Sequence, residues 1–416
     1  MIDQLANLAV FLLPFERLPS FDFAGVTLRL STLVILVGAL LMLPRLRQFS
    51  WKLSLLDKTI IGFYVVAVIS LTQATDLKRG LMVLGFLTYV LVVYAFLSRV
   101  WRKVLTPAKL QKLIVVAGAV TAVFGLYQFF GDALGLARQY TGLGELYTYH
   151  VFGFPRIQST GHEPLYYANF LLLPILLLMS QYLQDAKSLG RWNLAALVLL
   201  LTVMVLTLSR GAYLGLIAGS LILLVALWRQ TSWRRVLQSI GYVALSFGIA
   251  VALIQLVTTL GNTTGRGFLN FADQATIQDY GKGESTNLRI DRYKEAIRQF
   301  KEQPLLGAGL GQYGVVYAPP KDIARHGYPI VNNQYLETAA EMGLVGVIAL
   351  MAVVGMAITQ LVRSLKRRSS YFTAGLLAIL IAIGVQYNFF STIYIYHIWV
   401  LLALIEAATF KGAEDV

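Results

Sequence analysis

Four polar islands interrupt an otherwise apolar chain, and each carries residue types that could do chemistry. In "TLSRGAYLGL" (207–216) a single cation, Arg210, separates two uncharged stretches, one running from Trp192 to Ser209 and one from Gly211 to Trp228. A guanidinium presents a planar fork that matches phosphate oxygens two at a time, and Ser209 beside it adds a hydroxyl donor. Placing a guanidinium at membrane depth costs at least ~2.5 kcal/mol, so a resident anion would explain its retention. The plainer alternative is a turn residue that snorkels to headgroups, and the residues alone leave both open. In "RIQSTGHEPLYYANF" (156–170), Glu163 directly precedes Pro164 at a helix start. A carboxylate there is favoured by the helix dipole and proline suits the first helical position, which makes capping one reading. The other makes Glu163 a general base with Arg156 and His162 nearby, its pKa raised by a low dielectric.

The third island, "TNLRIDRYKEAI", places Arg289 on the first turn of a helix. A cation is disfavoured there by a few tenths of a kcal/mol unless it serves another partner. The fourth, "PIVNNQYLETAAEMGLVGVIAL" (329–350), offers Asn332 and Asn333 as capping residues, and Gly343 and Gly346 as sites of close helix contact.

The elements that must position these residues follow from composition. Of the 416 residues 57% are apolar and 13% charged, against roughly 45–50% and 25% in soluble domains. This predicts one all-α polytopic membrane unit over 1–416. A span needs about 20 apolar residues, and such windows recur at 2–16, 28–44, 57–74, 80–98, 112–130, 164–184, 192–209, 211–228, 236–260, 335–362, 371–389 and 392–410. Twelve spans are expected. The first lacks the basic start and small-residue cleavage site of a signal peptide and reads as a retained span. Basic residues gather in alternate connections, around Arg45 to Lys52, Arg99 to Lys109, Lys187 and Arg191, Arg229 to Arg235, and Arg363 to Arg368. The positive-inside rule makes that side, and both termini, cytoplasmic. The net charge of +14 is thereby mostly topology and contact with anionic headgroups, with no nucleic-acid partner implied.

Two loops on the opposite, extracytoplasmic side are long: 131–163 and 261–334. Within the second, 285–304 has Ile290, Tyr293, Ile297 and Phe300 at three- and four-residue steps, predicting an amphipathic helix capped by Ser285, Thr286 or Asn287 and ended by Pro304. The absence of cysteine excludes disulfides and thiolate chemistry. His150, His162, His326 and His397 show no metal-ligand spacing, and no cofactor is implied.

Taken in order, "TLSRGAYLGL", "RIDRYKEAIRQFKEQPLLGAGLGQYG" and "NNQYLETAAEMGLVGV" resemble the core of the bacterial O-antigen ligase and O-antigen polymerase superfamily over about 207–350. "RIQSTGHEPLYYANFLLL" resembles the segment that precedes this core. The resemblance implies a GT-C-type membrane glycosyltransferase of the bacterial inner membrane, with its active site facing the periplasm. Its donor would be an undecaprenyl-diphosphate-linked glycan, and its acceptor a glycan or lipid-glycan hydroxyl that attacks the anomeric carbon with inversion and displaces the undecaprenyl diphosphate. The resemblance assigns Arg210 and Arg289 to the diphosphate; Ser209 and Arg156 are further candidates for it, and His162, Tyr293 and Tyr335 are candidate acceptor or sugar contacts.

One departure matters. Ligases of this family carry His-Asn at the start of the last motif, and here the pair is Asn332 and Asn333. An asparagine orients a hydroxyl but cannot take its proton. The base is then Glu163 first and His326 second, or loss of the diphosphate proceeds without one. This favours a polymerase of O-antigen or exopolysaccharide repeats over a lipid A core ligase. A protein oligosaccharyltransferase shares the core and differs in acceptor. A twelve-helix solute carrier is the rival from another class, but carriers show repeated halves with helices broken at corresponding positions, and no such repeat is visible.

Overall fold

A computed structural model describes residues 1–17, 20–23, 26–260, 284–318, 323 and 327–410. The chain runs through α1 (Ile2–Phe11), a hairpin of β1 (Ser20–Phe23) and β2 (Val26–Arg29), α2 (Leu30–Met42), α3 (Leu55–Ser70), α4 (Leu77–Val104), α5 (Pro107–Ala133) and α6 (Pro164–Gln184). It continues through α7 (Arg191–Leu206), α8 (Arg210–Ala226), α9 (Trp233–Leu260), α10 (Glu284–Glu302), α11 (Gln334–Arg367), α12 (Tyr371–Gln386) and α13 (Tyr396–Thr409). Each expected apolar window falls on one of these helices. Among the described residues seven helices are long and apolar enough to cross a membrane, and five shorter apolar ones have 10–17 residues.

The described chain is helical apart from one short antiparallel hairpin, with Ser20 opposite Arg29 and Phe23 opposite Val26. Its alternating "SFDF" and "VTLR" have strand periodicity that a hydropathy window absorbs into the helix that follows. Several cations counted as loop charges also lie inside helices: Arg99, Arg102 and Lys103 in α4, and Arg234 and Arg235 in α9. The helices outrun their apolar windows because backbone hydrogen bonding does not stop where hydropathy falls.

The chain divides into two compact units, 1–44 with 106–279 and 365–385, and 45–105 with 280–364 and 386–416. The core of the first is α6, buried along almost its whole length from Tyr167 to Leu178 and apolar on every side, as a helix surrounded by others must be. Small residues admit its neighbours. A Cβ on Gly215 or Gly219 of α8 would stand 2.7 Å or 3.0 Å from the α12 carbonyl oxygens of Ala382 and Ala378. The α7–α8 pair is short, at 16 and 17 residues.

The second unit is fastened by a buried ion network. Asp57 of α3 accepts from Arg99 (2.8 Å) and Tyr94 (2.8 Å) on one oxygen, and from Arg102 (2.7 Å) and the Ser54 amide (2.8 Å) on the other. Glu406 of α13 accepts from Arg102 and from the Ser54 hydroxyl.

The same unit contains a broken helix. Gly343 sits at φ 63°, ψ −163° within α11, a conformation open to glycine alone. The "PLLGAGLG" segment fills the break: the amides of Ala308 and Gly309 donate to the carbonyls of Ala340 and Glu341, and the amides of Leu344 and Val345 to Pro304 and Leu305. These four bonds satisfy two carbonyls and two amides at the kink, as an apolar setting requires. Gly343 and Gly307 are therefore backbone-to-backbone contacts, where an added Cβ would run into Leu305 O and Glu341 C respectively. Gly343→Ala is expected to destabilise the protein by roughly 2–5 kcal/mol from strain and overpacking together, read as a lowered thermal unfolding midpoint in detergent.

Loop helix α10 is longer than its sequence predicts. It begins at Glu284, so Ser285, Thr286 and Asn287 are inside it and Arg289 is on its second turn. The first-turn argument about Arg289 therefore fails. The apolar stripe is also rotated: Ala296 and Gln299 are buried with Tyr293 packed against the core, whereas Ile290 and Ile297 are exposed.

Candidate functional site

In the first unit the chain between α5 and α6 folds back onto the α7–α8 turn. The Ile157 amide donates to Leu206 O (3.1 Å), and the Arg156 guanidinium donates twice to Thr207 O, at 3.2 and 3.0 Å. Gln128 of α5 holds this segment, accepting from the Ser159 amide (2.6 Å) and donating to Thr141 O and Ser159 O. Tyr213 anchors the other side through its hydroxyl to Val205 O (2.6 Å).

This arrangement gathers Arg156, Arg210 and Glu163. The Arg156 guanidinium is held below its ordinary pKa, first by loss of hydration; Tyr147, Tyr213 and Glu163 oppose that shift, and Arg210 adds repulsion. A guanidinium nevertheless stays charged. Arg156, Arg210 and the Glu163 carboxylate thus lie within electrostatic reach of one another. Ser209, at the N-cap of α8, is buried, and among the described residues its hydroxyl has no partner. The first amides of α8 face the same end, where the helix dipole favours negative charge.

Glu163 occupies the N-cap of α6, and its backbone carbonyl accepts from Tyr166 and Tyr167, but its side chain makes no capping bond. His162 lies 2.7 Å from an Arg29 guanidinium nitrogen. Loss of hydration first, and Arg29 second, hold its imidazole below the usual value, so near pH 7 it is neutral and accepts from Arg29.

The second unit holds Arg289, half-exposed on α10, and the Asn332–Asn333 turn at the start of α11. Asn333 caps the helix, its side-chain oxygen accepting from the Tyr335 and Leu336 amides at 3.0 Å each. Tyr335 is half-buried on the first turn. The Tyr293 hydroxyl is shared between Asn332 O (3.3 Å) and Asn388 O (3.0 Å). His326 and residues 261–283 lie outside the described residues.

Backbone strain marks the same segments. Among the described residues, three non-glycine residues have positive φ: Ser159 (51°), Leu208 (52°) and Asn332 (62°). Each falls inside one of the four sequence islands. A leucine at positive φ is a genuine outlier, held only where surrounding contacts over-determine it.

Other side chains escaped the sequence reading. Arg79 at the start of α4 stacks over Tyr328 at 4.1 Å and lines a cavity with Glu337, Glu341 and Tyr394. Ser391, after α12, donates to Glu337 at 2.6 Å. Signals were available: Lys78 and Arg79 sit at the end of α4 opposite its basic cluster, and Glu337 and Glu341 stand one turn apart on an apolar helix.

No curated protein matches the chain. The family model described as O-antigen ligase matches residues 195–351, which include the α7–α8 turn, α10, the glycine-rich segment and the Asn332 turn. Over residues 195–351 the chain is similar to the O-antigen ligase family.

Proposed function

We propose that the protein transfers glycan from an undecaprenyl-diphosphate donor to a sugar hydroxyl, as a polymerase of O-antigen or exopolysaccharide repeats. The observation that carries this reading is the N-terminal end of α8, where Arg210 lies within electrostatic reach of Arg156 and the buried Ser209 hydroxyl has no partner among the described residues. A diphosphate there has its developing charge met by fixed donors as the anomeric bond breaks, the contribution that dominates such chemistry. The acceptor oxygen attacks the anomeric carbon from the opposite face, inverting it, and its proton leaves to a base or to water. Glu163, uncommitted to capping, is the base of this scheme, with His326 as the alternative. By the family resemblance Arg289 is a second diphosphate ligand; His162, Tyr293 and Tyr335 are candidate acceptor or sugar contacts. All twelve apolar helices cross the inner membrane in a GT-C-type arrangement, with the termini cytoplasmic and the site periplasmic.

The ligase reading shares every feature except the acceptor, and Asn332 in place of the family's histidine favours the polymerase. Purified protein in nanodiscs, given a synthetic undecaprenyl-diphosphate oligosaccharide without nucleotide sugar, is expected to yield longer lipid-linked products and free undecaprenyl diphosphate. Glu163→Gln is expected to slow this at all pH values between 6 and 8; wild-type rates across that range would remove it as base. No product with any lipid-linked donor, together with solute flux in liposomes, would support a carrier instead.

A further inference from the structure

A chain of hydrogen bonds in the second unit converges on Asn332. Its left-handed backbone costs roughly 1–2 kcal/mol and is pinned at both ends. The Asn332 amide donates to Ser391 Oγ (3.1 Å), and its carbonyl accepts from the Tyr293 hydroxyl (3.3 Å). The Ser391 hydroxyl has a single hydrogen, and it is given to Glu337 Oε2 at 2.6 Å. That carboxylate oxygen also accepts from the Val331 amide at 2.9 Å. Glu337 thus fixes the rotor of Ser391, so that a serine lone pair is kept toward the Asn332 amide. Without the carboxylate, the hydroxyl hydrogen would compete for that direction.

The residue on either side is fixed as well: Val331 is buried with its amide on Glu337, and Asn333 is spent on the helix cap. The half-exposed Asn332 carboxamide is what the turn presents. A carboxamide is neutral and both donates and accepts, which suits a sugar hydroxyl better than a diphosphate. Glu341, one turn further along α11, accepts from the Tyr313 amide (3.2 Å) and lines the cavity with Glu337 and Arg79.

We propose that Glu337 and Ser391 are positioning residues for Asn332, whose carboxamide orients the hydroxyl of the acceptor sugar. This rests on the glycan-transfer reading above.

The test uses the full-length protein in nanodiscs, a synthetic undecaprenyl-diphosphate oligosaccharide as donor and an alkyl glycoside of the same repeat as acceptor, with kcat and both KM values measured separately. Ser391→Ala is expected to raise the acceptor KM about tenfold, the effect of one lost hydrogen bond, and to leave the donor KM unchanged. Glu337→Gln, whose amide oxygen still accepts, should show a smaller shift in the same direction. Asn332→Ala should match or exceed Ser391→Ala, and the double variant should lose nothing beyond Asn332→Ala. An unchanged acceptor KM in Ser391→Ala, or additive losses in the double variant, would overturn the proposal. Hydrogen exchange over 328–336 gives a readout independent of turnover. Faster exchange in Ser391→Ala and Glu337→Gln supports the holding role, and unchanged protection refutes it. Absence of turnover in the wild type refutes the transfer reading itself, and with it the acceptor role of Asn332.

Discussion

Arg210→Ala is expected to slow release of undecaprenyl diphosphate by about 10²–10³-fold, the usual cost of removing one fixed donor from a site of developing negative charge. The readout is the rate of lipid-diphosphate release by protein that has kept its fold, checked by thermal unfolding in detergent. Arg210→Lys should recover part of the rate, since it keeps the charge and loses the fork. Ser209→Ala should behave likewise on a smaller scale. Its buried hydroxyl has no partner among the described residues, so the fold loses nothing, whereas a hydrogen bond to a charged phosphate contributes about 1.5–3 kcal/mol. Full activity in Arg210→Ala would sink the assignment of this site.

Asp57→Ala should unfold the protein more readily than any other single change outside the site. It removes the carboxylate shared by Arg99 and Arg102, side chains only 4% and 2% exposed, and leaves two guanidiniums buried with only Glu406 to answer them. Breaking a buried pair from one side costs about 3–5 kcal/mol because of the uncompensated charge that remains. The measurement is thermal unfolding in detergent. A useful contrast is Arg298→Ala on α10, which breaks ion pairs to Glu295 and Glu302 at an exposed surface and should move the midpoint little. Equal effects in the two variants would mean that the Asp57 network does not fasten its unit.

The pattern of apolar windows was legible in the sequence because hydropathy is a local property, and each window falls on a helix. The β1–β2 hairpin was not, because four-residue strands are shorter than the window that reads spans. Arg99 and Arg102 looked like topology charges and are buried structural ones, since the acidic partners that bury them, Asp57 and Glu406, lie 42 and 304 residues away. Arg210, Arg156 and Glu163 were recognisable as isolated polar residues beside apolar runs, and they do cluster. The role of Gly343 was misplaced: an isolated glycine reads as a helix contact, and only the arrival of "PLLGAGLG" at the break reveals a non-helical residue. Ser391 carried no local signal. Its partners, Asn332 and Glu337, lie 59 and 54 residues earlier in the chain.

The central claim is that the end of α8 holds a lipid-linked diphosphate, and the most direct measurement is native mass spectrometry of the detergent-purified protein with undecaprenyl diphosphate and undecaprenyl phosphate in competition. The account predicts preferential retention of the diphosphate by the wild type, and loss of that preference in Arg210→Ala. Equal retention of the two lipids by the wild type, or an undiminished preference in Arg210→Ala, would contradict it.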